Sequence, residues 1–366
     1  MKPFFSIVVP CCNVGKYVRE CLDSIQKQPF SDWECLCIIE DSTDDTESIV
    51  REFADNDKRF CVFTQPRSGS VSVPRNVGTE KATGEYIIFC DGDDSIAENS
   101  LAKIAKRINE RPGADIYACA IWEYKDGGEF IRIIDNFLPN SPAELSGHDA
   151  VLLLYNFWKK TSPMLQENVW RRDFLNMHNL RCIPGLFNQD SEFFPRALYY
   201  AQRIVPLHDI LYLYRRHSQC ITLRSHKVDF RLQHWAVILK SLFAFHARES
   251  VKPGFDKQVA KCWAREWLDQ LYDKWFRLPA IKSIPREKRL ETLRIMFADG
   301  FDDLNKIGKM ASFSKRMGLI FVKLFVLHKS LCVVIEMLFD RIFFPLADIK
   351  HRRGKHFLVS HEDYTR

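Results

Sequence analysis

Residues 86–94, Tyr-Ile-Ile-Phe-Cys-Asp-Gly-Asp-Asp, run from five apolar side chains straight into three aspartates within four positions. A short, unbroken apolar run reads as a strand buried on both faces, the kind found in parallel sheets covered by helices. Carboxylates packed this closely repel one another, and folding alone gives no reason to gather them. The stretch therefore predicts both a sheet and a site at that sheet's edge.

Upstream, Phe5–Val9 reads as a first strand. Val14, Tyr17, Val18, Cys21, Leu22 and Ile25 then recur at helical spacing, with Asn13 placed to cap them. Residues 34–39 form a second strand, and Ile49, Val50 and Phe53 share one face of the next helix. A third strand at 60–63 and a helix over 72–82 make residues 86–90 the fourth strand. Downstream, Leu101, Ile104 and Ile108 face inward from a helix, and residues 115–122 return as a strand. Residues 126–146, with Gly127-Gly128, Pro139 and Pro142, are expected as a loop over the sheet. Helices are expected over 148–160 and 191–202, and a strand over 210–214.

Strands separated by helices predict an α/β fold with a mostly parallel central sheet. Beyond about residue 226 the strand signals stop, and 230–246, 259–276 and 286–297 read as helices. The expected organisation is a catalytic domain over 1–225 and an all-helical region over 226–366. In open α/β sheets ligands sit beyond the carboxyl ends of the strands. Glu40-Asp41 and Asp91–Asp94 both occupy that edge.

Charge narrows the function classes. From Asp303 to the end there are 12 Lys and Arg against 6 Asp and Glu, while residues 1–302 carry 41 of each sign. A neutral body argues against a nucleic-acid groove, so no nucleic acid is expected as a partner. The 12 cysteines are scattered and form no C-x-x-C pair, which points to free, buried thiols in a reducing cytoplasm. The first residues are expected to form a buried strand, not a secretory signal.

Residues 317–349 are the most apolar part of the chain, interrupted by Lys323, Lys329, Glu336, Asp340 and Arg341. A spanning helix needs about 20 mostly apolar residues. A basic cluster follows directly at 350–355. Two readings fit: an interfacial helix holding the protein peripherally on an anionic inner membrane face, or an apolar face packed as core.

Asp91-Gly92-Asp93 is a D-x-D pattern. Alternate residues of an extended segment face one way, and the glycine between them leaves room for a ligand. Hard Mg2+ or Mn2+ takes one or two protein carboxylates together with phosphate oxygens and water. The plainer alternative is a solvated turn in which Asp94 or Ser95 caps the next helix.

Four stretches occur in order: Phe5–Asn13 (FSIVVPCCN), Ile38–Thr46 (IIEDSTDDT), Ser68–Gly78 (SGSVSVPRNVG) and Thr83–Asp94 (TGEYIIFCDGDD). Together they closely resemble family-two glycosyltransferases of the GT-A fold, over residues 1 to about 222. The resemblance implies a Rossmann-like sheet, a nucleotide-diphosphate sugar donor (UDP-linked in the usual case) and inversion at the anomeric carbon. Its usual setting is bacterial surface polysaccharide, with a glycan or lipid-linked acceptor.

By that resemblance, Pro10, Asn13, Glu40, Asp41, Arg75, Asn76, Asp91, Gly92 and Arg216 would bind the nucleotide sugar. Glu40 and Asp41 would meet the base and Arg75 the phosphate or ribose oxygens. The family's Asp-Asp-Gly-Ser appears here as Glu40-Asp41-Ser42, with one residue missing, which touches base specificity. Arg75 read without the family is a surface residue paired with an acid such as Glu80. Asp91, Asp93 and His217 would hold Mn2+ or Mg2+, with Arg215 or Arg216 facing the departing diphosphate.

The general base would be Asp190, in a stretch where the usual Glu-Asp appears as Gln189-Asp190. A neutral Gln189 should lower the proton affinity of Asp190 unless burial offsets it. Without the family, Asp190 reads as the cap of the following helix. Two other functions are weighed. A nucleotidyltransferase would carry a glycine-rich loop where this chain has Pro10-Cys11-Cys12-Asn13. A catalytically impaired scaffold subunit would fit the two departures from the family pattern.

Overall fold

In the computed structural model, which describes residues 2–137, 141–154, 164–218, 220, 228–253, 255–272 and 284–297, β1 (Phe5–Cys11) lies inside a sheet. Six of its seven residues are buried, as expected of a strand covered on both faces. β2 (Trp33–Glu40) and β4 (Tyr86–Phe89) flank it in parallel, and β3 (Phe60–Gln65) adds in parallel to β2. The crossovers run through α1 (Val18–Gln26), α2 (Thr46–Asn56) and α3 (Ser72–Lys81). α1 buries Val18, Cys21, Leu22 and Ile25, the stripe its spacing predicts. At α3 the approach is close: a Cβ on Gly78 would lie 2.2 Å from Val8 Cγ1, so any side chain there would force the helix off β1.

Beyond β4 the sheet changes character. β6 (Ile116–Lys125) follows α4 (Ser100–Glu110), but it does not pair with β4. Between them lies β8 (Asn168–Arg171), antiparallel to both. β9 (Ile204–Arg216) runs parallel to β6, and the short β5 (Ser95–Ile96) pairs antiparallel with β9. β7 (Phe130–Ile134) folds back on β6. The order is β3-β2-β1-β4-β8-β6-β9-β5. The mostly parallel sheet is thus realised from β3 to β4, and the second half is mixed.

Several expectations shift in detail. Residues 126–146 contain β7 and are not all loop, and β9 extends the expected strand in both directions. A short 3-10 turn (Leu165–Glu167) leads into β8, and α6 (Arg172–Met177) follows it. The helix expected over 148–160 is α5 (Gly147–Leu154), with 155–160 outside the described residues. α7 (Asp190–Tyr200) matches the expected helix closely. Cys11, Cys21, Cys35, Cys37, Cys90 and Cys119 are free and buried in the core of this sheet.

The chain divides into two units, Met1–Arg224 and Ser225–Arg366. The described part of the second is helical: α8 (Val228–Glu249), α9 (Lys257–Tyr272) and α10 (Arg286–Met296). Trp263 and Trp267 stack at 5.2 Å, and the buried His246 packs edge-on against Trp267. The apolar stretch 317–349 and the basic tail lie outside the described residues. Among the described residues no helix is long and apolar enough to cross a membrane.

Candidate active site

Asp91 lies two residues past the end of β4. The Nη2 of Arg75, on α3, donates to both its oxygens at 2.8 and 3.0 Å, and Gln166 Nε2 donates to Oδ2 at 2.6 Å. Arg75 is 1% exposed, so it is not the surface residue paired with Glu80 that the sequence alone allowed. Its Nη1 reaches Asp190 Oδ1 at 3.4 Å. One buried guanidinium therefore joins the first D-x-D aspartate to the expected base. Burial alone would weaken its hold on a proton, but Asp91 and Asp190 keep its pKa above the ordinary value.

Asp190 opens α7, whose N-cap position is Gln189, so Asp190 is not the helix cap. Burial raises its pKa, Arg75 pulls it down and Asp91 pushes it up, leaving it at about 6. Burial thus does offset the missing charge at Gln189, whose Nε2 lies 3.4 Å from Asp190 Oδ2. A carboxylate poised near neutrality is ionised at working pH yet basic enough to take a proton.

A second cluster lies beside the first. Asp93 Oδ2 is 3.0 Å from His217 Nε2. His217 is buried with its ring 4.4 Å from that of Tyr17, and its Nδ1 has no hydrogen-bond partner among the described residues. Among the described residues, Asp93, His217 and Cys220 are the group whose ligand atoms all lie within 4.8 Å of one another. Carboxylate, imidazole and thiol are a donor set that suits a divalent ion, and an orphaned ring nitrogen in the same residue is consistent with one. Asp91, expected as a fellow ligand, has its carboxylate engaged by Arg75 and Gln166.

Asp94 serves neither metal nor helix cap. It is 2% exposed, accepts from the Tyr212 hydroxyl, and accepts the Arg215 N–H at 2.7 Å. Burial, then the neighbouring Asp93 and Asp91, push its pKa well above the carboxylate range. The Tyr212 oxygen also accepts the Asp91 N–H at 3.2 Å. The loop is therefore pinned to β9 from below while Asp93 faces outward, 27% exposed.

Other expected residues are placed differently. Gly92 leaves no open space for a ligand: a Cβ there would meet the Pro10 carbonyl and Val14 Cγ2, each at 3.0 Å. Pro10 sits where this is possible, because β4 pairs with β1 only as far as Val8 and the missing N–H is not needed. Asn13 does not cap α1, which starts at Val18. It adopts φ +53° and accepts the Thr43 N–H at 2.8 Å, fastening the loop after β2. Glu40 is buried and its Oε1 accepts from Gln65 and Ser68, whereas Asp41 is exposed beside it. Asn76 bonds the Cys182 backbone with both ends of its amide, at 2.8 and 2.9 Å, so it ties α3 to the segment before α7.

Arg216 is not brought to the acids. Successive strand residues face opposite ways. Arg216 pairs with the buried Glu123 at 2.6 Å, on the face shared with Arg132. Arg215 takes the near face instead: its Nε donates to the Asp93 carbonyl at 3.1 Å, and its guanidinium pairs with Glu20 and Asp126. Sequence reasoning missed Gln166, Tyr212 and Cys220. The first two carried no local signal, but His217-Ser218-Gln219-Cys220 has an H-x-x-C spacing that puts two potential donors three residues apart.

A mixed α/β sheet whose parallel half carries a D-x-D loop at its carboxyl edge, with a separate carboxylate held beside that loop, is the architecture of a GT-A glycosyltransferase. Residues 6–176 match the model of the family described as Glycosyl transferase family 2. Glycosyltransferase GlyG of Streptococcus pneumoniae is 28% identical over 264 residues, covering 71% of this chain and 85% of that protein. The uncharacterized glycosyltransferase EpsJ of Bacillus subtilis is 28% identical over 244 residues, 64% of this chain and 67% of that one. The crystal structure of S. aureus TarS 1-349 in complex with UDP-GlcNAc superposes with a TM-score of 0.69 at 19% identity, over 99% of this chain and 95% of that one. The first unit of this chain thus matches glycosyltransferase family 2 over residues 6–176, and its fold is GT-A.

Proposed function

We propose that the protein transfers a sugar from a nucleotide-diphosphate donor, UDP-linked, to a hydroxyl of a glycan or lipid-linked acceptor in bacterial polysaccharide synthesis. The observation that carries this is the Arg75 bridge, which keeps a carboxylate with a pKa of about 6 beside the D-x-D loop. A structural neighbour crystallised with UDP-GlcNAc supports a uridine nucleotide. Glu40, buried at the end of β2, and the exposed Asp41 are the acids available to a base at that edge.

The acceptor hydroxyl attacks the anomeric carbon from the side opposite the nucleotide. A new carbon–oxygen bond forms as the bond to the diphosphate breaks, and the configuration inverts. Asp190 takes the hydroxyl proton as this happens, a role worth roughly 10²–10⁴-fold. Arg75 holds Asp190 and Asp91 in register and stays charged throughout. Asp93 and His217 would hold Mn2+ or Mg2+, which supplies positive charge against the leaving diphosphate when bound. Arg215 orients Asp93 through its carbonyl and adds positive charge near the loop.

A thermal-shift panel of nucleotide diphosphates and sugar nucleotides, with and without Mn2+, tests the reading. A ligand that binds only the folded state raises the melting temperature by mass action. UDP or a UDP-sugar with Mn2+ should give the largest shift; no shift with any nucleotide would sink the proposal. The basic tail is assigned to an anionic membrane face on its charge alone. Truncation from about Arg316 should then abolish flotation with anionic liposomes, and equal flotation of the truncated protein would refute that assignment.

A further inference from the structure

We propose that Cys220 is a third protein ligand of the metal site and makes it select borderline, thiophilic ions such as Zn2+ and Co2+ over Mg2+. The inference rests on the metal reading above and concerns what kind of ion the site takes.

The local backbone builds the ligand pair. The Cys220 N–H donates to the His217 carbonyl at 3.0 Å, closing a tight turn after β9 that brings both side chains to one place. The His217 N–H donates to Cys220 Sγ at 3.3 Å, and the thiol donates to the Arg215 carbonyl at 3.2 Å. The N–H bond to the sulfur fixes its direction and would persist to a thiolate, whereas the S–H bond to the Arg215 carbonyl is given up with the proton. Asp93 enters from the D-x-D loop, so the three donors come from two separate segments. His217 adds a second observation: it is 7% exposed, and its buried Nδ1 has no hydrogen-bond partner among the described residues. A ring with one nitrogen towards Asp93 and the other orphaned is poorly used by the protein alone.

Distances allow the site to close. The three ligand atoms lie within 4.8 Å of one another. Bonds of about 2.0–2.3 Å in a tetrahedral site put ligand atoms roughly 3.5 Å apart, so the widest pair closes by about 1 Å. Asp93, 27% exposed at the loop, is the side chain with room to supply most of that movement, since Cys220 is buried. Sulfur binds as thiolate, and its proton passes to solvent as the sulfur–metal bond forms. Thiolate favours Zn2+ and Co2+, whereas Mg2+ holds to oxygen ligands and discriminates against sulfur. The fourth position stays open for a phosphate oxygen, which keeps the site compatible with a nucleotide donor.

X-ray absorption on the zinc-loaded full chain is the direct test. One sulfur at about 2.3 Å from zinc is expected, lost in Cys220→Ser and kept in a control variant of the half-buried Cys12, Cys12→Ser. In Co2+ titrations the wild type should show a sulfur-to-cobalt charge-transfer band that Cys220→Ser lacks. Zn2+ affinity should fall by at least about tenfold in Cys220→Ser, the range for losing even an outer partner, while Mg2+ affinity stays unchanged. A zinc shell of nitrogen and oxygen alone, or a sulfur that survives Cys220→Ser, overturns the thiolate and leaves the Asp93–His217 site standing. Failure of the wild type to bind any divalent ion overturns the metal reading as well.

Discussion

Asp190→Asn should destroy transfer and at the same time make the protein more stable at pH 8. The side chain is 19% exposed, and burial carries its pKa from an ordinary 3.8 to about 6 even with Arg75 beside it. Each tenfold change in proton affinity corresponds to about 1.4 kcal/mol, so the ionised carboxylate costs the native state about 3 kcal/mol above pH 6. The sign follows from which state binds the proton more tightly. The native state does, so Asp190 favours folding below about pH 4, and that contribution is lost as the pH rises through 6. Asparagine keeps the shape and never ionises. The variant should therefore match wild type near pH 4 and exceed it by up to about 3 kcal/mol at pH 8.

Urea denaturation at both pH values reads the stability, and a sugar-transfer assay reads the base. Transfer should fall by about 10²–10⁴ while donor binding persists, the pattern of an interaction needed only in the transition state. In wild type the rate should drop on the acid side, to about half at pH 6 and a tenth at pH 5. A variant that is less stable at pH 8, or equally stabilised at both pH values, would show that Asp190 is not a strained, ionised carboxylate. Near-normal transfer by the variant would place the base elsewhere.

Arg75→Met removes the charge between two carboxylates and should destabilise the fold by about 3–5 kcal/mol in denaturant melts, because Asp91 and Asp190 are left unpaired. Any residual transfer should have its acid limb moved to higher pH, since Arg75 is the group that holds Asp190 down. Gln189→Glu adds a like charge beside Asp190, so the acid limb should also move above 6 while transfer at pH 8 is kept. An unmoved limb would mean that residue 189 does not sense the base. Asp93→Ala should abolish Mn2+-dependent donor binding in calorimetry with the melting temperature little changed; undiminished binding would remove Asp93 from the metal site.

What was legible in the sequence follows from how each element is stabilised. The half of the sheet from β3 to β4 was readable because β1, β2 and β4 are buried on both faces, so each is an apolar run, and its acids mark the carboxyl edge. β8 and β7 were not, because four or five residues carry little periodicity and their place is fixed by partners elsewhere in the chain. The motif stretches located Asp91, Asp93, Asp190 and His217, but motifs do not say which partner a side chain meets. Arg75, expected at phosphate or ribose oxygens, is a buried link between two acids in this structure, an arrangement that exists only once α3 and α7 have met the D-x-D loop.

The same limit decided between Arg215 and Arg216. Two adjacent arginines on a strand differ only in parity, and parity relative to a site is set by the register of β9 against β6. That register places Arg215 opposite Tyr124 and Arg216 opposite Lys125, on the face of Glu123. A one-residue slip would exchange their roles, turning Arg215 towards Glu123 and Arg216 towards the D-x-D loop, together with every other side chain of β9. Glu123 needs an arginine on its face but would find one in either register; the contacts specific to the observed one are the Tyr212 hydroxyl and the Arg215 N–H, both donated to the buried Asp94. What chooses which arginine faces the D-x-D loop is thus the last aspartate of that loop, bonded to strand residues 118 and 121 positions away, beyond the reach of any local motif.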